Sequence, residues 1–197
     1  MEPRSVQFSR TRLTELMIPS YANFGGKVHG GIILSLMDKV AYACSSKHAG
    51  GYCVTVTVDG VEFLQPVEVG ELLHLDASVH FVGNTSLVVG IKVTTENVKT
   101  NKVKHTNNSY FTMVAKDENE KPAKVPELIL QNITEVRNFV DSIKRRQVKK
   151  EADAKMQKEH DEFILVEDMN LLKNQRCEIA FTSTEEDDEI NDLFSDT

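Results

Sequence analysis

The stretch NFGGKVHGGIILSLMD, Asn23–Asp38, sets four glycines, a histidine and an amide ahead of an apolar run that closes on an aspartate. Glycine hinders helices, so the pattern places a loop up to the Gly30-Gly31 pair and a helix after it. From Gly31 to about Ala49, the residues Ile32, Ile33, Leu36, Met37, Val40, Ala41, Ala43 and Cys44 cover much of the helical circumference. A helix of that kind lies buried in the centre of a domain, and at about 1.5 Å per residue it runs roughly 30 Å. The following HAGGY ends it with glycines suited to a left-handed cap.

The start of this helix carries the chemistry. Its first backbone N–H groups have no intrahelical acceptor, and the macrodipole adds about half a positive charge. Such a terminus receives an anion, or the oxyanion that a substrate carbonyl becomes during acyl transfer. Glycine lets the ligand approach the backbone without meeting a Cβ. A tight turn is the other reading of the pair. Asp38 shifts the balance, because it sits about two turns into the helix among Leu34, Leu36, Met37 and Ala41, where an unpaired carboxylate is costly to bury. A solvated-face acid is the ordinary alternative, and a functional carboxylate the sharper one.

Working outward, RLTELMIPS suits a short extended segment ending at Pro19. After the helix the period changes to two: YCVTVTVDGVEFLQPV, the two runs flanking Gly83-Asn84, and KVKHTNNSYFTMVAKDENEKP predict four or five strands. One long helix followed by an antiparallel series describes an α+β domain whose sheet curls around the helix. Residues 1–126 are expected to form it. Pro126 opens a second helical region, with Ile129, Ile133, Val136, Val140 and Ile143 at three- and four-residue intervals. Residues 127–162 are read as a helix, highly charged past Arg145 and projecting or fraying there. Residues 163–197 are read as a partly disordered acidic tail with a small apolar island.

Composition narrows the function. A net charge of -7 and a pI near 5.4 argue against nucleic-acid binding, so any phosphate recognition is local. Cys44, Cys53 and Cys177 make no disulfide framework, which suits a reducing, cytoplasmic setting. No signal-peptide core and no run of about 18 apolar residues is present, so neither export nor a membrane span is expected. The dispersed histidines offer no metal-ligand spacing, and neither a metal nor a resident cofactor is expected.

The set Asn23, Gly26, His29-Gly30-Gly31 and Asp38, followed by VTVTVDGVEFLQPVEVGE, VGNTSLVVGIKV and YFTMVAKDENEKPAKVP, resembles the hotdog-fold acyl-CoA thioesterases over about Thr14 to Pro126. The resemblance implies a sheet-wrapped helix, with two subunits paired edge to edge and active sites at their interface. It implies hydrolysis of acyl-CoA to free fatty acid and CoA, the coenzyme being part of substrate and product. Asp38 would be base or nucleophile, Asn23 the orienting amide from the facing subunit, and the Gly30 or Gly31 N–H the oxyanion donor. A homodimer, and a hexamer of three dimers, would follow. His29 is catalytic or, more simply, positioning. Thr55 and Thr57 are candidates for hydrogen bonds at the reacting centre, against plain strand propensity. Gly83, Asn84, Thr85 and Ser86 form either a CoA-facing turn or an ordinary hairpin turn, and Lys102 and Lys104 are candidates for pairing with CoA phosphates. The alternatives are a non-catalytic acyl-CoA-binding regulator and a hotdog dehydratase acting on hydroxyacyl thioesters.

Overall fold

The computed structural model describes residues 1–162, 168–172 and 175–178. The expected acidic end and much of the apolar island lie outside them. In chain order the elements are β1 (Arg4–Ser5), α1 (Val6–Ser9), β2 (Thr11–Leu16), a 3₁₀ turn (Pro19–Tyr21), α2 (Gly30–Ala49), β3 (Cys53–Asp59), β4 (Leu72–Val82), β5 (Ser86–Asn97), β6 (Lys102–Ala115), β7 (Leu128–Ile129) and α3 (Ile133–Asp161).

Five strands form an antiparallel sheet in the order β2-β4-β5-β6-β3, which leaves β2 and β3 as edges. Alternation along the strands turns one face inward. Leu73, Leu75, Ala77 and Val79 of β4, Leu87, Val89, Ile91 and Val93 of β5, and Phe111, Met113 and Ala115 of β6 are all buried. Against them α2 packs Ile33, Leu36, Met37, Val40, Ala41 and Cys44. Each large apolar side chain buried this way stabilises the fold by about 1.5–3 kcal/mol. The helix is therefore covered along one face only, not around its circumference, and Leu34 and Tyr42 remain exposed. The expected α+β architecture of a long helix cradled by a curled antiparallel sheet is otherwise what forms.

Helix α2 ends at Gly50, whose φ of 75° lets its N–H close on the Ser46 carbonyl at 2.8 Å. The Arg4 guanidinium then donates to the carbonyls of Lys47 (2.8 Å) and His48 (2.7 Å), satisfying acceptors the helix leaves open. The start of the chain is held there because β1 pairs in parallel with β7. Beneath this fastening His48 is fully buried, with Nε2 3.2 Å from the Pro126 carbonyl. Burial holds its pKa below the usual imidazole value.

Two boundaries differ from the sequence reading. The strand expected to run through VEFLQPV stops at Asp59, and residues 60–71 form a connection exposing Phe63 and Leu64. The C-terminal helix starts at Ile133, not at Pro126, because Leu128–Ile129 is taken up by β1. Its start is set by a cap the sequence carries as NITE: the Glu135 N–H donates to Asn132 Oδ1 (3.0 Å), and the Glu135 carboxylate accepts from the Gln131 N–H (2.6 Å). Ile133, Val136, Val140 and Ile143 face outward, whereas Phe139 packs on Phe81 and Ser142 is buried. The first compact unit, Met1–Val148, thus includes the first half of α3.

Candidate active site

His29 precedes α2 as its N-cap, and its Nδ1 accepts the Gly31 N–H at 2.9 Å. Accepting there fixes the neutral ring with its hydrogen on Nε2. The Gly31 N–H is therefore occupied, which leaves Gly30 as the open one of the two expected oxyanion donors. Among the described residues the Gly30 N–H has no acceptor, and it stands at the positive end of a 20-residue helix. Phe63 lies against Gly30 so closely that a Cβ there would be 3.2 Å from its ring. Phe63 was not singled out from sequence. Its signal was an aromatic in a stretch read as strand, and only the chain crossing shows where it lands.

Asn23 makes the turn before His29. Its Oδ1 accepts the N–H of Gly25 (2.9 Å) and of Lys27 (3.1 Å), so the carbonyl half of the amide is structural. The Nδ2 group has no acceptor among the described residues.

Asp38 is exposed, which corrects the expectation of a carboxylate buried among apolar neighbours. Leu34 and Tyr42, one turn before and after it, form with it an outward stripe on α2. The Thr55 hydroxyl, reaching across from edge strand β3, donates to Asp38 Oδ1 at 2.6 Å. The structure thus joins Asp38 and Thr55, two residues far apart in sequence. Thr57, two positions on, pairs with Thr112 across the ladder and shows no bond to Asp38. Val56 and Val58 of the same strand are exposed too, as is Tyr52 just before it, whose ring lies 6.0 Å from that of Tyr42.

Gly83–Ser86 is the β4–β5 hairpin turn. The Gly83 N–H closes on Ser86 O (2.8 Å), while the carbonyls of Thr85 and Asn84 accept from Ala115 (2.9 Å) and Val125 (3.0 Å). These bonds tie the turn to β6 and to the segment after it. Lys104 is committed to the buried Glu71 at 2.9 Å, so the expectation that it meets phosphate gives way to a structural pair. Burial pushes the Cys44 thiol up to about 12 and the Cys53 thiol in the same direction, so neither is a ready nucleophile. No group of three metal-ligating side chains converges among the described residues, and among them no helix is long and apolar enough to cross a membrane.

The thioesterase superfamily matches residues 25–102. A solved structure described as an apo-hexameric acyl-CoA thioesterase is similar with a TM-score of 0.75 at 34% identity, covering 78% of this chain and 99% of that one. The chain belongs to the hotdog-fold acyl-CoA thioesterases. Protein VdlD of Helicobacter pylori is 46% identical to this thioesterase over 142 residues, 71% of this chain and 81% of that protein. The acyl-CoA hydrolase of Staphylococcus aureus, solved with butyryl coenzyme A, coenzyme A and coenzyme A disulfide, is 26% identical with a TM-score of 0.72, covering 80% of this chain and 96% of that one. Further structures of the S. aureus enzyme carry alanine in place of an aspartate, an asparagine and a threonine. In the present thioesterase, Asp38 and Thr55 are both exposed and joined by their hydrogen bond.

Proposed function

We propose that this thioesterase hydrolyses fatty acyl-CoA with Asp38 as the group that activates water, at a site closed by a second copy of the chain. The observation that carries the reading is the exposed Asp38–Thr55 pair, set about two turns along the helix whose N-terminus is left unsatisfied. The water oxygen attacks the thioester carbonyl while its proton passes to Asp38. The resulting oxyanion is held by the Gly30 N–H, and the tetrahedral adduct then expels the CoA thiolate, which takes up the proton, leaving free acid. Thr55 holds the carboxylate in one orientation. A thiolate leaves readily, so these groups suffice for the proposed reaction without a metal or a resident cofactor.

Support for the residue roles comes from the S. aureus enzyme: its substituted asparagine, aspartate and threonine follow one another at the same two intervals as Asn23, Asp38 and Thr55. Asn23, with its Nδ2 free, is proposed to reach the substrate held by the facing subunit. His29 positions the helix start. The side chains of Asn84 and Thr85 are the parts of the hairpin turn proposed to meet CoA. Edge strand β3 is proposed to pair with its copy, and three such dimers to form a hexamer, as in hexameric relatives. Free cysteines fit a cytoplasmic role in lipid metabolism.

Thiol release from short, medium and long acyl-CoA by wild type and Asp38→Ala tests this. Release by wild type with loss in the variant is expected. Absence of release at every chain length would remove the reaction, and full activity in Asp38→Ala would remove the site.

A further inference from the structure

On the sheet face away from α2 lies a cavity of about 450 Å³. Strand register explains its form. Arg12, Asp76, Lys92 and Asn108 stand side by side across β2, β4, β5 and β6, and Ser78, Gly90 and Tyr110 make the adjacent row. The small pair Ser78 and Gly90 forms the floor. A Cβ on Gly90 would run into the His80 ring, so glycine is what lets that imidazole lie across the sheet. His80 Nε2 is 3.1 Å from Ser78 Oγ and 3.4 Å from Asn138 Nδ2 of α3, which forms one wall. Behind it the Arg145 guanidinium stacks 3.9 Å from the centre of the Tyr110 ring and donates to its hydroxyl at 3.0 Å.

The charge here opposes that of the chain. Arg10, Arg12 and Lys92 line the cavity, and Asp76 is its one acid among the described residues. Asp76 is already held by a two-pronged pair with Arg12, at 2.6 and 2.8 Å, which keeps its carboxyl below the usual range. Among the described residues the Arg10 and Lys92 side chains have no ion-pair partner. Arg10 acts on the same Asp76 at longer range, so on a protein of net charge -7 three cations face one acid in a single depression that also holds amide and hydroxyl groups, a local anion trap. The volume is within the range of small-ligand sites.

We propose that this cavity is a second ligand site, separate from the acyl site and independent of the thioesterase reading, that binds a phosphate-bearing small molecule of the nucleotide class. Arg10 and Lys92 hold the phosphate, and Asn108, Ser78 and Asn138 offer the remaining polar contacts. The phosphate has two sources, a free nucleotide or the ADP portion of CoA, and the experiment separates them. Calorimetric titration of the full chain with inorganic phosphate, ADP and free CoA is run on wild type, Arg10→Gln/Lys92→Gln and Asp38→Ala. ADP binding is expected to weaken about tenfold or more in the double variant, as expected for losing charge-assisted bonds, and to stay unchanged in Asp38→Ala. If CoA alone binds and the double variant weakens it, the two cations serve the nucleotide end of the substrate, and the separate site is overturned. No binding of any of the three, or binding that the double variant leaves intact, overturns the proposal. Both substituted side chains are exposed, and the melting temperature of the double variant verifies that it folds.

Discussion

Replacing Thr55 by valine removes one hydroxyl and little else. Valine keeps the branched shape and strand preference of threonine on an exposed edge position, so stability should change by no more than about 0.5 kcal/mol. What disappears is the 2.6 Å hydrogen bond to Asp38, together with a weaker 3.3 Å contact to the Met113 sulfur. A hydrogen bond to a charged group contributes about 1.5–3 kcal/mol, and if it serves only to aim the carboxylate, that energy falls on the chemical step. The expected fall in kcat is about tenfold to a hundredfold. Solvent around an open site favours the lower figure, and closure by a partner subunit the higher, because exclusion of water strengthens the bond. KM should barely move, since Thr55 is not proposed to grip the acyl chain or the nucleotide. Steady-state thiol release over a range of acyl-CoA concentrations measures both constants, and thermal melting verifies the fold. An unchanged kcat in a folded variant would refute the positioning role, leaving the Asp38–Thr55 bond as a link between α2 and β3.

Asn23→Asp keeps an oxygen to accept the Gly25 and Lys27 amides while removing the Nδ2 hydrogens; activity should fall with the melting temperature nearly intact, and full activity would return Asn23 to a turn residue. Acid should destabilise the fold through His80, whose value burial, with Arg145 adding to it, lowers to about 4 from 6.5. A depressed folded value means that stability is fully present above pH 6.5 and is lost as pH falls toward 4, by at most about 3 kcal/mol from this group. Buried His48 acts in the same direction, so urea midpoints should fall between pH 6.5 and 4.5, less steeply in His80→Gln; equal slopes would show that His80 is not responsible. Val56→Lys places a charge on the open edge of β3, where Val56 is 59% exposed. Light scattering should show loss of the dimer together with loss of thiol release, and an unchanged assembly would move the interface elsewhere.

Local signals made most of the fold legible. The glycine pair followed by apolar residues gave α2 to within a residue at its start, and alternation gave β4, β5 and β6, because each feature depends on neighbours in sequence. The errors arose where distant chain segments decide. Leu128–Ile129 reads as the approach to a helix, and becomes a strand only because Arg4–Ser5 lies beside it. The stripe from Ile133 to Ile143 has helical spacing, but spacing does not say which face docks. Phe139, Arg145 and Arg146 are anchored by Phe81 and Tyr110 of the sheet, and this turns the aliphatic residues outward. The cavity around Gly90 left no trace in sequence, since its rows exist only once four strands are in register.

The site followed the same rule with one further layer. Asp38 was legible as a candidate, but the reason given for it, burial among apolar residues, does not hold within one protomer, where the carboxylate is exposed. Leu34 and Tyr42 of α2, Tyr52, and Val56 and Val58 of edge strand β3 are exposed as well, and an edge strand with exposed apolar residues is a template for another chain. If β3 pairs with its copy, the surface that makes the isolated protomer adhesive is covered, and Asp38 and Thr55 come under the same roof. Water is then excluded where the carboxylate and the Gly30 N–H act, which strengthens both. Assembly and catalysis are on this account one event, so dissociating the dimer should abolish turnover even in a protomer whose Asp38–Thr55 bond remains intact.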